Sequence, residues 1–138
     1  MTDHGLIGPV VALVGWTFVL WFWMYATRIP AMRRAKIDLE ELSRTGAQLE
    51  LPPEISRVAD NYNHLHEQPT IFYALALAAQ VAGAADPVNV TLAWVYVALR
   101  VVHSLVQATK NVILVRFAIF SLASLVLMAL FVRTVRML

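Results

Sequence analysis

The chain has 138 residues, of which 59% are hydrophobic and 14% are charged, and its formal net charge is +2. Soluble domains carry about 25% charged residues, so this composition excludes an ordinary soluble domain and indicates an integral membrane protein. The absence of cysteine excludes both a disulfide framework and a thiolate nucleophile supplied by the chain itself. Basic residues cluster beside apolar stretches and form no interleaved basic surface, which argues against nucleic-acid binding.

The first predicted element is a membrane helix over residues 5–28. Residues 5–27 contain no charged side chain, and about 20 apolar residues are enough to cross the hydrocarbon core. Aromatic residues crowd its second half, as is typical near a headgroup boundary. No basic region precedes this run and no small-residue cleavage site follows it before Arg28. The sequence therefore predicts a retained helix, not a cleaved signal peptide.

A polar loop is predicted over residues 29–54. It mixes basic and acidic side chains and contains three prolines. Its first part is compatible with a short surface helix. Pro52 and Pro53 exclude helix immediately before them, so a new helix is expected to start near Ile55.

The second span is predicted over residues 55–84, and its first third is polar. Arg57, Asp60 or Asn61, His64 and Glu67 follow one another at steps of three or four. On a helix this spacing gives one stripe along one face. Ionisable groups facing lipid cost several kcal/mol, so such a stripe normally faces partner helices or a wet cavity and indicates a functional site.

Pro69 follows the polar stripe directly. Proline lacks an N–H group and crowds the carbonyl four residues earlier, here that of Leu65. A kink is therefore predicted immediately after the polar residues.

The third span is predicted over residues 88–109, after a tight turn. Arg100, His103 and Gln107 recur on one face, and Arg100 is expected at bilayer mid-depth. The short turn makes the second and third spans antiparallel neighbours. Counting from that turn brings Glu67 near the level of these residues, which predicts a pair between Glu67 and Arg100 or His103.

The fourth span is predicted over residues 112–136. Arg116 lies in its first turns, where it either extends to the headgroups or points into the bundle toward the polar layer. Basic residues are concentrated in the long loop and at Lys110, whereas Arg133 and Arg136 lie on the opposite side. This bias predicts a cytoplasmic loop and both termini outside.

These features together resemble one known family. The pattern comprises Pro52-Pro53-Glu54 before Arg57, then Glu67 and Pro69, Arg100-Val101-Val102-His103-Ser104 in the third span, and Arg116 opening the fourth. In this order the residues are similar to the MAPEG family, the membrane-associated proteins in eicosanoid and glutathione metabolism. The likeness covers nearly the whole chain, so residues 1–138 are expected to form a single domain. The chain resembles a bacterial type of the family, which implies location in a bacterial inner membrane.

The resemblance implies a four-helix, up-down bundle that assembles as a homotrimer. Glutathione would bind between neighbouring subunits near the cytosolic side, with its thiolate directed at a lipophilic electrophile or peroxide. The implied catalytic residue is Arg116, which stabilises the thiolate. The implied glutathione-binding residues are Arg57, Asn61, Asn63, His64, Glu67, Arg100, His103 and Gln107.

The chain departs from the family pattern at several positions. Aligned on Glu67, Asp60 and His64 occupy places where the family typically has arginine and asparagine. His103 and Gln107 stand where the family often has tyrosine.

Two other functions are compatible with the sequence. A metal site is one, because Asp60, His64 and Glu67 share a helix face that His103 could join. A lipid-binding or scaffolding bundle without thiol chemistry is the other. A transporter is disfavoured because the sequence has no internal repeat.

Overall fold

The computed structural model describes residues 4–46 and 51–138. All regular secondary structure within these ranges is helical, so the predicted all-α class is confirmed for the described residues. The helices are α1 (Ile7–Arg34), α2 (Leu39–Thr45), α3 (Pro53–His64), α4 (Gln68–Val81), α5 (Pro87–Ala108) and α6 (Ile113–Met137).

Three helices, α1, α5 and α6, are long and apolar enough to cross a membrane. They contain 28, 22 and 25 residues, and at about 1.5 Å per residue each reaches the roughly 30 Å of a hydrocarbon core. The first helix continues past its predicted end at Arg28 as far as Arg34. Its last turn contains Arg33 and Arg34, whose charge is favourable at the negative end of a helix.

The predicted second span, 55–84, is two helices in the structure, not one. α3 ends at His64 and α4 begins at Gln68. The three residues between them form a tight turn, in which the amides of His66 and Glu67 donate to carbonyls three residues back. Pro69 is the second residue of α4, and it neither donates to Leu65 nor leaves room for that carbonyl. The predicted kink is thus a complete break, and the prediction of one continuous helix is wrong.

The connections match the turn chemistry of the sequence. Asp38 starts α2 by accepting the backbone N–H groups of Glu40 and Glu41, and α2 ends at Gly46 with a positive φ of 68°. This is the short surface helix expected in the loop. Asp86 starts α5 in the same way by accepting the N–H of Asn89.

The helices pack around α5. α6 lies alongside α5 over most of its length, and α1 contacts α3, α4 and α5. Phe72 of α4 and Tyr96 of α5 are fully buried, and their rings stack with centroids 4.5 Å apart. This packing brings the break between α3 and α4 next to the middle of α5.

A closed polar network joins the α4–α5 turn to the end of α6. Arg133 donates from Nη2 to Asp86 Oδ2 at 2.6 Å and from Nε to Asn89 Oδ1 at 2.8 Å. Asn89 in turn donates from Nδ2 to the carbonyl of Ala84 at 2.7 Å. We call Asp86, Asn89 and Arg133 the turn clamp.

Candidate functional site

A cavity of about 260 Å³ lies where the break between α3 and α4 faces α5 and the start of α6. We call it the break cavity. One part of its lining is polar or charged, and the other is apolar. The lining residues are His64, Glu67, Gln68, Arg100, His103, Ile113, Arg116, Phe117 and Phe120.

Each polar lining residue is positioned by a local feature of the chain. His64 is the last residue of α3, and Glu67 immediately precedes α4, so both belong to the break. Arg100 and His103 are three residues apart on α5 and therefore share a face. Arg116 lies in the first turn of α6, which starts after a short connection from α5.

Arg100 is the most deeply buried charge in the cavity, with only 1% of its surface exposed. Its Nη2 approaches the carbonyl oxygen of His64 at 3.5 Å, a long contact. Its Nε has no hydrogen-bond partner among the described residues. Burying a cation costs several kcal/mol unless it is paired and hydrogen-bonded. The site therefore has unused capacity for an anion.

His103 presents a similar situation one turn along α5. It is 4% exposed, and its Nδ1 has no hydrogen-bond partner among the described residues. The ring faces that of Phe120 at a centroid distance of 6.4 Å. Because buried polar atoms in native proteins are nearly always hydrogen-bonded, this nitrogen is also available to a ligand.

Glu67 pairs with His64, not with Arg100 or His103. The distance from Glu67 Oε2 to His64 Nδ1 is 3.1 Å. Neither of the two ion pairs in the described part of the chain, His64–Glu67 and Asp86–Arg133, includes Arg100. The predicted direct pair is not formed because the break, where Glu67 has φ −94° and ψ −100°, removes this residue from the helical stripe.

Arg116 points into the bundle. It is half-buried, it lines the break cavity, and its Nη1 donates to Asn111 Oδ1 in the preceding turn. Of the two orientations left open by the sequence, the structure shows the one toward the polar layer. The hydrogen bond from Arg116 to Asn111 holds the guanidinium group at the wall of the cavity.

Four predicted binding residues lie outside the break cavity. Arg57 donates to the carbonyl of Thr109 at 3.2 Å, at the end of α5. Asn63 is exposed and lines a separate polar cavity of about 220 Å³ together with Asp60 and Arg28. Asn61 and Gln107 are buried and have side-chain atoms without partners among the described residues.

Sequence reasoning missed the remaining lining residues, Gln68, Ile113, Phe117 and Phe120. Gln68 is held by Ser124 Oγ, which accepts from its Nε2 at 2.8 Å, and by the Tyr96 hydroxyl, which donates to its Oε1 at 3.1 Å. Its position directly after Glu67 was an available signal. Phe117 and Phe120 follow Arg116 at one and four residues, a spacing that places Phe120 on the same side of α6.

The structure offers little support for a metal site. No group of three or more histidine, aspartate or glutamate side chains within residues 4–46 and 51–138 is arranged to hold a metal ion. His64 and Glu67 line the break cavity together, but Asp60 lines the separate polar cavity that Asn63 also lines. Asp60 and His64 are both on α3 but line different cavities.

The comparison with protein families gives one match. The model of the MAPEG family matches residues 6–136. The match begins one residue before α1 and ends one residue before the end of α6, so it includes every residue that lines the break cavity. No curated protein and no solved structure matches the chain.

Proposed function

The chain belongs to the MAPEG family, and on that premise we propose that it is a membrane-embedded glutathione-dependent transferase or peroxidase acting on lipophilic electrophiles. Members of this family generally use glutathione. One observation carries the proposal. Two almost fully buried side chains, Arg100 and His103, have unpartnered nitrogens in a cavity that Arg116 also lines.

The charges of the cavity complement those of glutathione. Glutathione has two carboxylates, one amino group and one thiol. Arg100 and Arg116 supply two guanidinium groups, which bind carboxylates through paired hydrogen bonds. The unused Nε of Arg100 is a suitable donor for one of the ligand carboxylates.

The thiol is assigned to the end of the cavity near Arg116. A free thiol has a pKa of about 8.5 and is mostly protonated at neutral pH, and a neighbouring cation lowers that value. Because the chain has no cysteine, the thiolate must come from the ligand. Arg116, held by Asn111, provides a fixed cation for it.

The apolar side of the cavity supports a lipophilic second substrate. Ile113, Phe117 and Phe120 line this side, and all three are exposed on the surface of α6. α6 is one of the helices long and apolar enough to cross the membrane. An electrophile dissolved in the bilayer therefore reaches the thiolate along the aromatic face of α6.

The proposed assembly is a homotrimer of four-span subunits, in which the broken pair α3–α4 makes the second span. Its long loop is cytoplasmic, as the charge bias indicates. Arg57 and Asn63 do not line the break cavity of their own chain, which leaves them for a site completed by a neighbouring subunit. The glutathione contacts of Arg57, Asn61, Asn63 and Gln107, and the assignment to a bacterial inner membrane, stay predictions.

Calorimetric titration of glutathione into the purified protein in mild detergent tests the proposal. The parent is expected to bind, and Arg100→Gln is expected to raise Kd about 10- to 100-fold because a charge-assisted contact is lost. The exposed Arg136 offers a matched control, so Arg136→Gln should bind like the parent. Absence of heat from the parent, with the fold intact by circular dichroism, would contradict glutathione binding.

A second function is supported by a second cavity. It measures about 330 Å³ and is lined by residues of α1, α3 and α4 and of the break, with no acidic, lysine or arginine side chain. Its largest lining residues are aromatic: Phe18, Trp21, Tyr62 and Tyr73. Such a wall suits a lipid, and a bundle that binds lipid without thiol chemistry is the alternative. Turnover of an electrophile with glutathione separates the two functions.

A further inference from the structure

The pair formed by His64 and Glu67 is a feature of the break cavity that thiolate stabilisation by Arg116 does not use. His64 Nδ1 lies 3.1 Å from Glu67 Oε2, and the side chains are 42% and 67% exposed. Both line the cavity. An ionised carboxylate only accepts hydrogen bonds, so Nδ1 carries the proton and Nε2 is the ring nitrogen left for a ligand.

The backbone at the break fixes this pair. The amide of Glu67 donates to the carbonyl of His64 at 3.1 Å, which closes a single turn between the two residues. Pro69 prevents the turn from continuing as part of α3. The carboxylate is therefore held beside the imidazole by the same local structure that opens the cavity.

We propose that His64, oriented by Glu67, is the general base that removes the proton from the bound thiol. The inference rests on the proposed glutathione-dependent function and adds a catalytic residue to it. A weak nucleophile is usually activated by a base that contacts it and that is itself oriented by a carboxylate. Arg116 then stabilises the thiolate, while His64 makes it.

The step balances without any further reactant. The thiol proton passes to Nε2 of His64, and the sulfur electron pair forms a bond to the electrophilic carbon. The bond from that carbon to its leaving oxygen or halogen breaks, and the leaving atom keeps the electron pair. The imidazolium of His64 returns the proton to the leaving atom or to water, which restores the neutral ring.

The other charged and titratable groups facing the cavity are less suited to this task. Arg100 and Arg116 are permanently protonated and cannot accept a proton. His103, on α5, is 4% exposed and lines the cavity beside both arginines. A third positive charge, on His103, would be buried and repelled by these two cations. Among these groups, His64 combines access to the cavity with a carboxylate oxygen 3.1 Å from its Nδ1.

The test compares three variants of the purified protein, using glutathione and a lipophilic electrophile with an aromatic halide leaving group. His64→Asn is expected to keep glutathione affinity within about threefold and to lose about 100-fold in kcat at neutral pH. The loss should shrink as rising pH ionises the thiol in solution, and added imidazole should restore part of the rate. Glu67→Gln should show a smaller loss with the same pH trend.

His66→Asn is the matched control. His66 lies two residues from His64, and its Nδ1 contacts the carbonyl of Tyr62. It lines the aromatic cavity of about 330 Å³, not the break cavity. Its replacement should leave kcat and the pH profile unchanged.

A parent-like rate and pH profile in His64→Asn would overturn the base role and leave the proposed function standing. A parent protein that neither binds nor turns over glutathione would overturn both. If His64→Asn does not fold, the pH profile of Glu67→Gln decides: a profile identical to the parent contradicts the orienting role.

Discussion

The turn clamp and the break cavity each place an arginine among polar groups inside an apolar bundle, but they complete its hydrogen bonds differently. Arg133 in the clamp bonds Asp86 and Asn89 at 2.6 and 2.8 Å. Arg100 in the cavity has one contact of 3.5 Å to a carbonyl and an unpartnered Nε. A cluster that satisfies itself stabilises the fold, whereas one with free donors is prepared for a ligand.

The difference follows from where the chain turns. The clamp is built at a tight turn, where Asp86 starts α5 and the end of α6 packs beside it. The cavity is built at the break between α3 and α4, where the regular backbone ends at His64 and resumes at Gln68, just before Pro69. A turn brings complementary side chains together, while a break opens space between them.

Replacing Arg116 by alanine tests the cavity most strongly. Removal of a fixed charge that stabilises a developing anion costs about 10²–10³ in kcat. We expect a loss of this size in glutathione-dependent turnover, measured with a lipophilic electrophile in detergent, with the oligomeric state unchanged. Arg136→Ala, at the other end of α6, serves as the control and should keep the parent rate. Parent-like turnover in Arg116→Ala would remove its assigned role.

Replacing Arg133 by alanine tests the clamp. The side chains of Arg133 and Asp86 are 37% and 31% exposed, so solvent screens the pair and we expect a loss of about 1–2 kcal/mol in unfolding free energy. For a chain of this size that corresponds to about 2–6 °C in Tm, measured by thermal denaturation in detergent. Glutathione affinity and turnover should not change. A change in turnover without a change in Tm would reverse the roles given to the two regions.

The smallest expected effect is the coupling between Glu67 and Arg100. Glu67 pairs with His64, and Arg100 contacts the His64 carbonyl, so the two charges interact through the cavity without a direct ion pair. The coupling between the stability changes of Glu67→Gln and Arg100→Gln should therefore lie at the low end for interacting residues, at about 0.5 kcal/mol. A double-mutant cycle of unfolding free energies measures this. A coupling energy of about 2 kcal/mol or more is on the order expected for contacting residues and would instead support a direct ion pair between Glu67 and Arg100.

The sequence predicted the cavity better than the shape of the helix that opens it. Arg100, His103 and Arg116 meet because helical spacing and a short turn determine where they lie. Pro69 gave the position of the kink. The complete break was not predictable, because it depends on the φ and ψ angles of three residues that no periodicity encodes. Glu67 therefore lost its expected partner.

Two other differences have equally local causes. Asn63 was expected among the glutathione-binding residues together with His64, yet the two are adjacent in sequence, and adjacent residues diverge by about 100° around a helix. It accordingly lines a different cavity. Phe117 and Phe120 were missed because an apolar residue on a membrane helix has the same pattern whether it faces lipid or a cavity.

The stacked rings of Phe72 and Tyr96 have a consequence for permeability. Tyr96 donates its hydroxyl proton to Gln68, which lines the break cavity, and Phe72 lies one turn further along α4. Both rings are fully buried, so packed side chains fill the space behind Gln68. A break between two helices of a membrane bundle therefore need not open a conduit across it.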